Sequence, residues 1–456
     1  MLPLILYPIT LKCQPDHQPT TFSIHHHAAA ICQIYTFHLF DADMHCLRRQ
    51  RTNANANVTP QTLTLADVVR TVVQNNPSLQ AAQRSRDAAT SAVTSAGAVQ
   101  NPRIETTLGR NSQRLPSASA GGVSGWAVSQ FIENPGIRRA RLDAASFGKD
   151  ASTHAIAVNT NELVAQVRVK AFEHLLRKDE ARAATEALNL LEQIRTRVKV
   201  RVDSGEAPRY EIIKADAEVI NARQKLQTAL LQVDQSTVAI NRLAAGHLPV
   251  YWTLQETLGD AIEAPALEQI QQLAQRDNPE LKALQAEVDR REAKLREAQA
   301  GRWPGLELRY GQLRDPEIRQ NMLTASLQIP LVDQRSGPIA EAAAELERAR
   351  TLLDGRRAEL RQQVLLAWKS MEIARVRVSA LSTGAVREAE AALRVAQAAY
   401  RFGERGILDV LDAQRLLRAV NADLLDARFQ VQAAGIDLDF LTGLYADANG
   451  VNVNQP

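Results

Sequence analysis

The chain has 456 residues, 45% of them apolar but only 4% aromatic, so it can bury a large core yet is poor in the aromatics usual for an enzyme of this size. Lys plus Arg number 54 against 51 Asp plus Glu, and a net charge of +3 points to no nucleic-acid partner. No run of roughly 18 apolar residues marks a transmembrane helix, although a β-barrel, whose strands give a weaker signal, stays open.

The first 62 residues differ from the rest of the chain. They hold all three cysteines (Cys13, Cys32, Cys46) and the cluster His25, His26, His27. We expect this segment to be disordered or a misassigned signal region, with its histidines a solvated tract. Ala54-Asn55-Ala56 has the small-x-small form of a signal-peptidase site. From Arg51 onward there is no cysteine, so no disulfide framework or CxxC metal site is expected in the body.

The body reads as one unit written twice. The segment NNPSLQAAQ starts at Asn75 and DNPELKALQ at Asp277, an offset of 202 residues that also pairs Pro102 with Pro304 and Gly109 with Gly311. Further on, DSGEAPRYEIIKADAEV from Asp203 matches RFGERGILDVLDAQRLL from Arg401 at an offset of 198. Four residues were therefore lost between the halves. The division expected is a first repeat over 63–245, a linker over 246–265, a second repeat over 266–445 and a tail over 446–456. A unit this long is a duplicated domain rather than a solenoid.

Each copy is expected to run helix, strand, strand, long helix, turn, helix. The first helix spans Leu65 to Gln100, with Val68, Val69, Val72 and Val73 on one side and Pro102 as its stop. Ile104, Thr106 and Leu108 then alternate with Arg103, Glu105 and Thr107, and Val123 to Ile132 makes the partner strand. In the second copy Leu306, Leu308 and Tyr310 alternate with Glu307 and Arg309, and Leu323 to Leu331 is the partner. Leu306, Leu308 and Tyr310 are expected to face lipid, Glu307 and Arg309 a channel. Long helical patterns follow, Ile137 to Val202 and Pro338 to Phe402, each about 100 Å at about 1.5 Å per residue. The helix after each turn is shorter, about 35–40 residues. Antiparallel helices of such lengths suggest a layered cylinder.

Four strands per chain cannot close a barrel with a lumen, which needs about eight or more. Open edges in lipid would each leave backbone groups unsatisfied. If the strands lie in a membrane, several chains share one barrel. A cytosolic coiled-coil scaffold would explain the helices but not the strand pairs. An enzyme is not indicated: the body has no Ser/His/Asp set and no HExxH, and His154, His174 and His247 stand far apart in sequence.

Two in-register copies with the NPxL segments at Asn76 and Asn278, the alternating strand pairs and the turn YRFGERGILDVLDAQ from Tyr400 are similar to the TolC-type outer-membrane efflux family over about Leu63 to Tyr445. The resemblance implies a mainly α fold with a small β part. It also implies a homotrimer, with a twelve-stranded β-barrel continued by a long α-helical barrel. Implied partners are a periplasmic adaptor, an inner-membrane pump of the resistance-nodulation-division type, and outer-membrane lipid. No cofactor and no resident metal are implied. Efflux of small molecules or metal ions is the function expected, with drug efflux or type I protein secretion as alternatives. The segment SQFIENPGIRRARLDAA from Ser129 resembles the cobalt–zinc–cadmium branch; Glu133, Gly136, Arg138 and Arg141 are its junction residues.

The turns at Gly205 and Gly403 lie at the ends of the long helices away from the strands, where glycine supplies the positive φ a tight turn needs. They mark the periplasmic tip. Asp409 and Asp412, three apart on the following helix, share a face, and threefold symmetry would stack them into acidic rings selective for cations. The resemblance places a gate here: Arg405 with Glu211 as the lock, helped by Tyr400.

Overall fold

A computed structural model describes residues 61–447 except 113–115, 118 and 260–265. The N-terminal expectations, including His25–His27 and Ala54-Asn55-Ala56, lie outside the described residues, as does most of the tail.

A three-residue strand, β1 (Gln61–Leu63), leads into α1 (Leu65–Asn75). Thr64 caps that helix, its hydroxyl accepting from the Asp67 amide while the Asp67 carboxylate accepts from the Thr64 amide. The single first helix expected is in fact two. Pro77 opens a second helix, α2 (Pro77–Gly97), because proline lacks the amide that would continue the ladder and holds Asn76 extended. The strands β2 (Arg103–Asn111) and β3 (Gly121–Ile132) follow, then α3 (Pro135–Asp203) and α4 (Arg209–Leu243). The second copy repeats the order: α5 (Leu267–Asp277), α6 (Pro279–Ala300), β5 (Leu306–Arg314), β6 (Arg319–Leu327) and α7 (Ser336–Ala380).

The second long helix also departs from expectation. α3 runs 69 residues unbroken. Its counterpart is divided by a π turn at Leu381–Ala385, where the Val386 amide reaches back five residues to the Leu381 carbonyl. The helix resumes as α8 (Val386–Arg401), and α9 (Ile407–Thr442) returns along it.

The four long strands form one antiparallel sheet in the order β2-β3-β5-β6, so both edges, β2 and β6, are free within the chain. The last strand ends earlier than expected, at Leu327 rather than Leu331. Asp315 sets this register: its carboxylate accepts the Glu317 and Ile318 amides at 2.9 and 2.6 Å, closing a four-residue turn so that Arg314 faces Arg319. Ile329 and Leu331 fall beyond the strand, beside Pro330, which cannot donate to a ladder. The register also locates most of the lost residues. Ile104 and Leu306 are 202 apart, but their partners Val128 and Leu327 are 199 apart, so three of the four disappeared in the shorter second turn.

The inter-repeat segment is not only a linker. It contributes β4 (Trp252–Leu254), paired in parallel with β1. Trp252, Leu254 and Leu258 join Val68, Val72, Val164, Val167 and Ile240 in the first-repeat core. A second cluster around Leu360, Val364 and Met371 serves the other repeat.

Candidate functional site

Three places gather the chemistry: the helical tip, the sheet-to-helix junction and the sheet. At the tip, Gly205 and Gly403 adopt φ of +79° and +76°. Each ends a long helix in the same way. The Glu206 amide returns to the Arg201 carbonyl at 2.8 Å, and the Glu404 amide to the Ala399 carbonyl at 3.0 Å, satisfying carbonyls the helix leaves open. Tyr400 is buried in an apolar cluster with Leu191, Ile194, Val198, Ile407 and Val410, which joins the two hairpins. Its hydroxyl donates to Glu211 Oε2 at 3.2 Å. Burial, with the Glu211 charge beside it, pushes the phenol above its ordinary pKa and keeps it a donor.

The expected Arg405–Glu211 pair does not form within the chain. Arg405 turns instead to Asp409, one helical turn ahead, at 3.3 Å, and both side chains are exposed. The cation that serves Tyr400 is Arg201. Its guanidinium lies 4.7 Å from the ring centroid, and its Nη1 donates to the Tyr400 carbonyl at 3.1 Å. Asp412 is also paired: Arg415 donates to it at 2.9 Å and at the same time to the buried Glu218 of the first-repeat hairpin. The acidic positions thus sit among arginines. Arg201, Arg415 and Glu218 were missed in the sequence because their partners lie almost two hundred residues away and no local spacing reveals them.

At the junction, Glu133 and Arg141 form a two-pronged ion pair, with Nη2 to Oε2 at 2.8 Å. The Arg141 Nε donates to the Ala96 carbonyl at 3.0 Å, and Arg138 donates to the Gly97 carbonyl at 2.7 Å. These arginines satisfy the open C-terminal carbonyls of α2, where positive charge is favoured. Asn134 caps α3 through the Gly136 amide at 2.8 Å and donates to the Ala300 carbonyl at 3.2 Å, tying the first repeat to the end of α6. Among the described residues no group of three or more His, Cys, Asp or Glu is placed to hold a metal ion.

The NPxL segments take on a physical meaning. Asn76 caps α2 and donates its side-chain amide to the Leu243 carbonyl at 2.9 Å; Asn278 caps α6 and donates to the Leu441 carbonyl at 3.0 Å. Each asparagine therefore staples the start of one helix to the end of the last helix in its repeat. Leu79 and Leu281 are buried beside them.

The sheet has two unlike faces, read from the pairing register. One carries Ile104, Leu108, Trp126, Tyr310, Leu323 and Leu327, all exposed although large and apolar. The other carries Arg103, Glu105, Glu307 and Arg309 with Thr107, Ser129 and Ser326, and with them Phe131, Leu313 and Met322. Glu105 serves both of its arginines: Arg309 reaches it at 2.7 Å across the small Ala127, and Arg103 reaches it at 3.2 Å. This polar face is the crowded one. A Cβ on Gly311 would lie 2.9 Å from that of Ala127, and Ala127 and Ser129 are buried. Such crowding is what a sheet curling inward over its polar side produces. No helix among the described residues is long and apolar enough to cross a membrane.

The family model described as outer membrane efflux protein matches residues 68–246 and again 270–444. The cobalt-zinc-cadmium resistance protein CzcC of Cupriavidus metallidurans is 26% identical over 385 residues, covering 84% of this chain and 90% of that protein. Crystal structures of CusC, described for folding and transmembrane channel formation, superpose with a TM-score of 0.72 at 17% identity, over 83% of this chain and 92% of that one. The outer membrane protein VceC of Vibrio cholerae gives a TM-score of 0.70 at 16% identity, over 83% and 96% of the two chains.

Proposed function

The chain belongs to the outer membrane efflux protein family, and from that premise we propose that three copies share one barrel in the outer membrane and extend it through the periplasm as an export duct. One observation carries the stoichiometric reading: a four-stranded sheet with two free edges, an exposed apolar face and a charged, crowded face. Lipid cannot solvate free edges. Each must therefore meet the opposite edge of another copy, and three copies of four strands make a closed lumen lined by Glu105, Glu307 and Arg309.

The chain is then a conduit rather than an enzyme. It needs a periplasmic adaptor and an energised inner-membrane pump, which we take to be of the resistance-nodulation-division type. The likeness to a cobalt-zinc-cadmium resistance protein supports metal ions as cargo. The duct passes what its pump delivers, so the junction residues Glu133, Gly136, Arg138 and Arg141 shape the helix start rather than select cargo.

The tip is the gate. Tyr400 with Glu211 and Arg201 holds the second-repeat hairpin against the first, while Asp409 and Asp412, repeated three times, make an acidic ring. Single-channel recording in planar bilayers tests this. Arg405→Ser should raise the resting conductance by freeing Asp409. Replacing Asp409 and Asp412 with Ala should abolish cation preference and block by divalent ions. Unchanged conductance and selectivity in both variants would overturn the gate. Leu308→Arg should cost about 2–4 kcal/mol of insertion if it lies near mid-bilayer, and Glu307→Arg little. The reverse order would overturn the barrel's facing.

A further inference from the structure

The apolar face of the sheet changes character along its length. Its rows at the helix end hold Ile132, Leu306 and Leu327, then Leu308 and Ala325 beside Gln130, then Tyr310 and Leu323. The next row adds Trp126, whose ring meets Tyr310 edge-on at 5.8 Å, and a Gln312–Asn321 hydrogen bond of 2.8 Å. Beyond that, on the same face and at the end away from the helices, stand Arg314 and Arg319, with Arg110 diagonally across β3. Arg314 and Arg319 are paired directly across the β5–β6 ladder.

Like charges opposed in this way are destabilising. The chain has carboxylates close by but does not use them. Asp315 accepts backbone amides of its own turn, and Glu317 accepts the Ser119 amide. No ion pair among the described residues involves Arg110, Arg314 or Arg319, and all three are exposed. The contrast with the opposite face is sharp, since Arg103 and Arg309 both have Glu105. Between Arg110 and Arg314 the intervening strand carries only the small Gly122 and Ser124 on this face, and Leu108 stands in the row of Arg314 and Arg319.

We infer that these three arginines form a site for the phosphate groups of an outer-leaflet glycolipid. The inference rests on the barrel reading, which turns this face toward lipid. Apolar rows meet acyl chains, Trp126 and Tyr310 meet the interface, and arginine follows at the level of the headgroups. A guanidinium fork matches a phosphate in shape as well as charge. A phosphorylated headgroup spanning these side chains would neutralise the Arg314–Arg319 opposition, which no group among the described residues does. With three copies the site repeats around the rim.

The test uses the full-length protein in detergent, with bisphosphorylated lipid A as probe. Lipid A should raise the melting temperature in a saturable way and co-purify on native mass spectrometry. The triple variant Arg110→Gln, Arg314→Gln, Arg319→Gln should lose both effects, while Arg314→Lys with Arg319→Lys, which keeps the charge, should retain part of the rise. Dephosphorylated lipid A, or inorganic phosphate alone, should give none. An equal rise from either control, or an unchanged response in the triple variant, overturns the site. Planar-bilayer conductance separates this from the duct. A wild-type protein that fails to insert removes the barrel reading and the site with it. A protein that conducts but ignores lipid A removes the site alone.

Discussion

The two long helices occupy equivalent places in the two repeats and are built differently. α3 crosses its repeat in 69 residues without interruption. Its counterpart opens into a π turn at Leu381–Ala385 before reaching the tip. A π turn is an α-helix holding one residue more than its ladder accommodates. One duplicated plan thus yields an unbroken helix in the first repeat and an interrupted one in the second. The interrupted one leads into the hairpin that carries Tyr400, Arg405, Asp409 and Asp412.

Single-residue deletion should split the two helices most widely. Removing Ala184 from α3 would turn everything beyond it by about 100°. Leu191, Ile194 and Val198, all buried, would swing out of the tip cluster. Each is worth about 1.5–3 kcal/mol, so we expect no cooperative thermal unfolding transition. Removing Gly384 should instead convert the π turn into regular helix and keep the register below it, leaving folding intact. Equal damage from the two deletions would mean that the π turn carries no spare residue.

At the tips the comparison sharpens to Tyr400 against Val202, its counterpart by the offset of 198. Tyr400→Phe keeps the ring beneath Arg201 but leaves Glu211 without its donor. Glu211 is half-buried and water can replace part of the bond, so we expect a cost of about 0.5–1.5 kcal/mol. It should appear as a raised resting conductance. Val202→Ala, which touches no such bond, should leave conductance near wild type.

The cores of the two repeats differ in acid response. His174 is buried in the first, its Nδ1 2.8 Å from Ser236 Oγ and its ring 5.2 Å from Trp252. Burial, with Lys178 nearby, pushes its pKa below the ordinary 6.5. The folded state therefore holds the neutral ring, and the unfolded chain takes up a proton more readily. Stability is full above 6.5 and is lost as pH falls from there toward the depressed folded value, by about 1.4 kcal/mol for each pH unit between the two. Met371 lies in the second-repeat core and titrates nowhere. Thermal melts across this window should show the loss in wild type and a flatter profile in His174→Met.

Much of this could be read from the sequence because it depends on near neighbours or on repetition. The duplicated order, the alternating strands and the glycine turns are local patterns, and the two copies reinforce each other. The NPxL segments were visible, but their use was not, since the Leu243 and Leu441 carbonyls that Asn76 and Asn278 hold are more than 160 residues distant. The helix break at Asn76-Pro77 could have been read from proline at a first helical position. The π turn could not. LSTGA has no signature separating an i→i−5 turn from an α turn. The Arg405–Glu211 pairing came from the family resemblance, with the offset between the copies locating Glu211, and neither chooses, within one chain, between Asp409, one turn away, and Glu211 across the hairpins.

The smallest effect is the most discriminating. Gly384 lies inside the π turn with nothing within 4 Å of an added Cβ, and Gly355 lies in the regular part of α7 with the same freedom. Glycine inside a helix costs about 0.5–1 kcal/mol relative to alanine, mainly because the unfolded chain is freer. Gly384→Ala and Gly355→Ala should therefore raise the melting temperature by similar small amounts. Their effects on the channel should differ. If the tip opens by bending at the π turn, stiffening that turn should lower the frequency of spontaneous openings, and stiffening α7 at Gly355, well before the π turn, should not. The pair holds stability constant and varies only where the stiffness falls. Equal opening frequencies in the two variants would place the hinge elsewhere and reduce the π turn to a packing adjustment between the repeats.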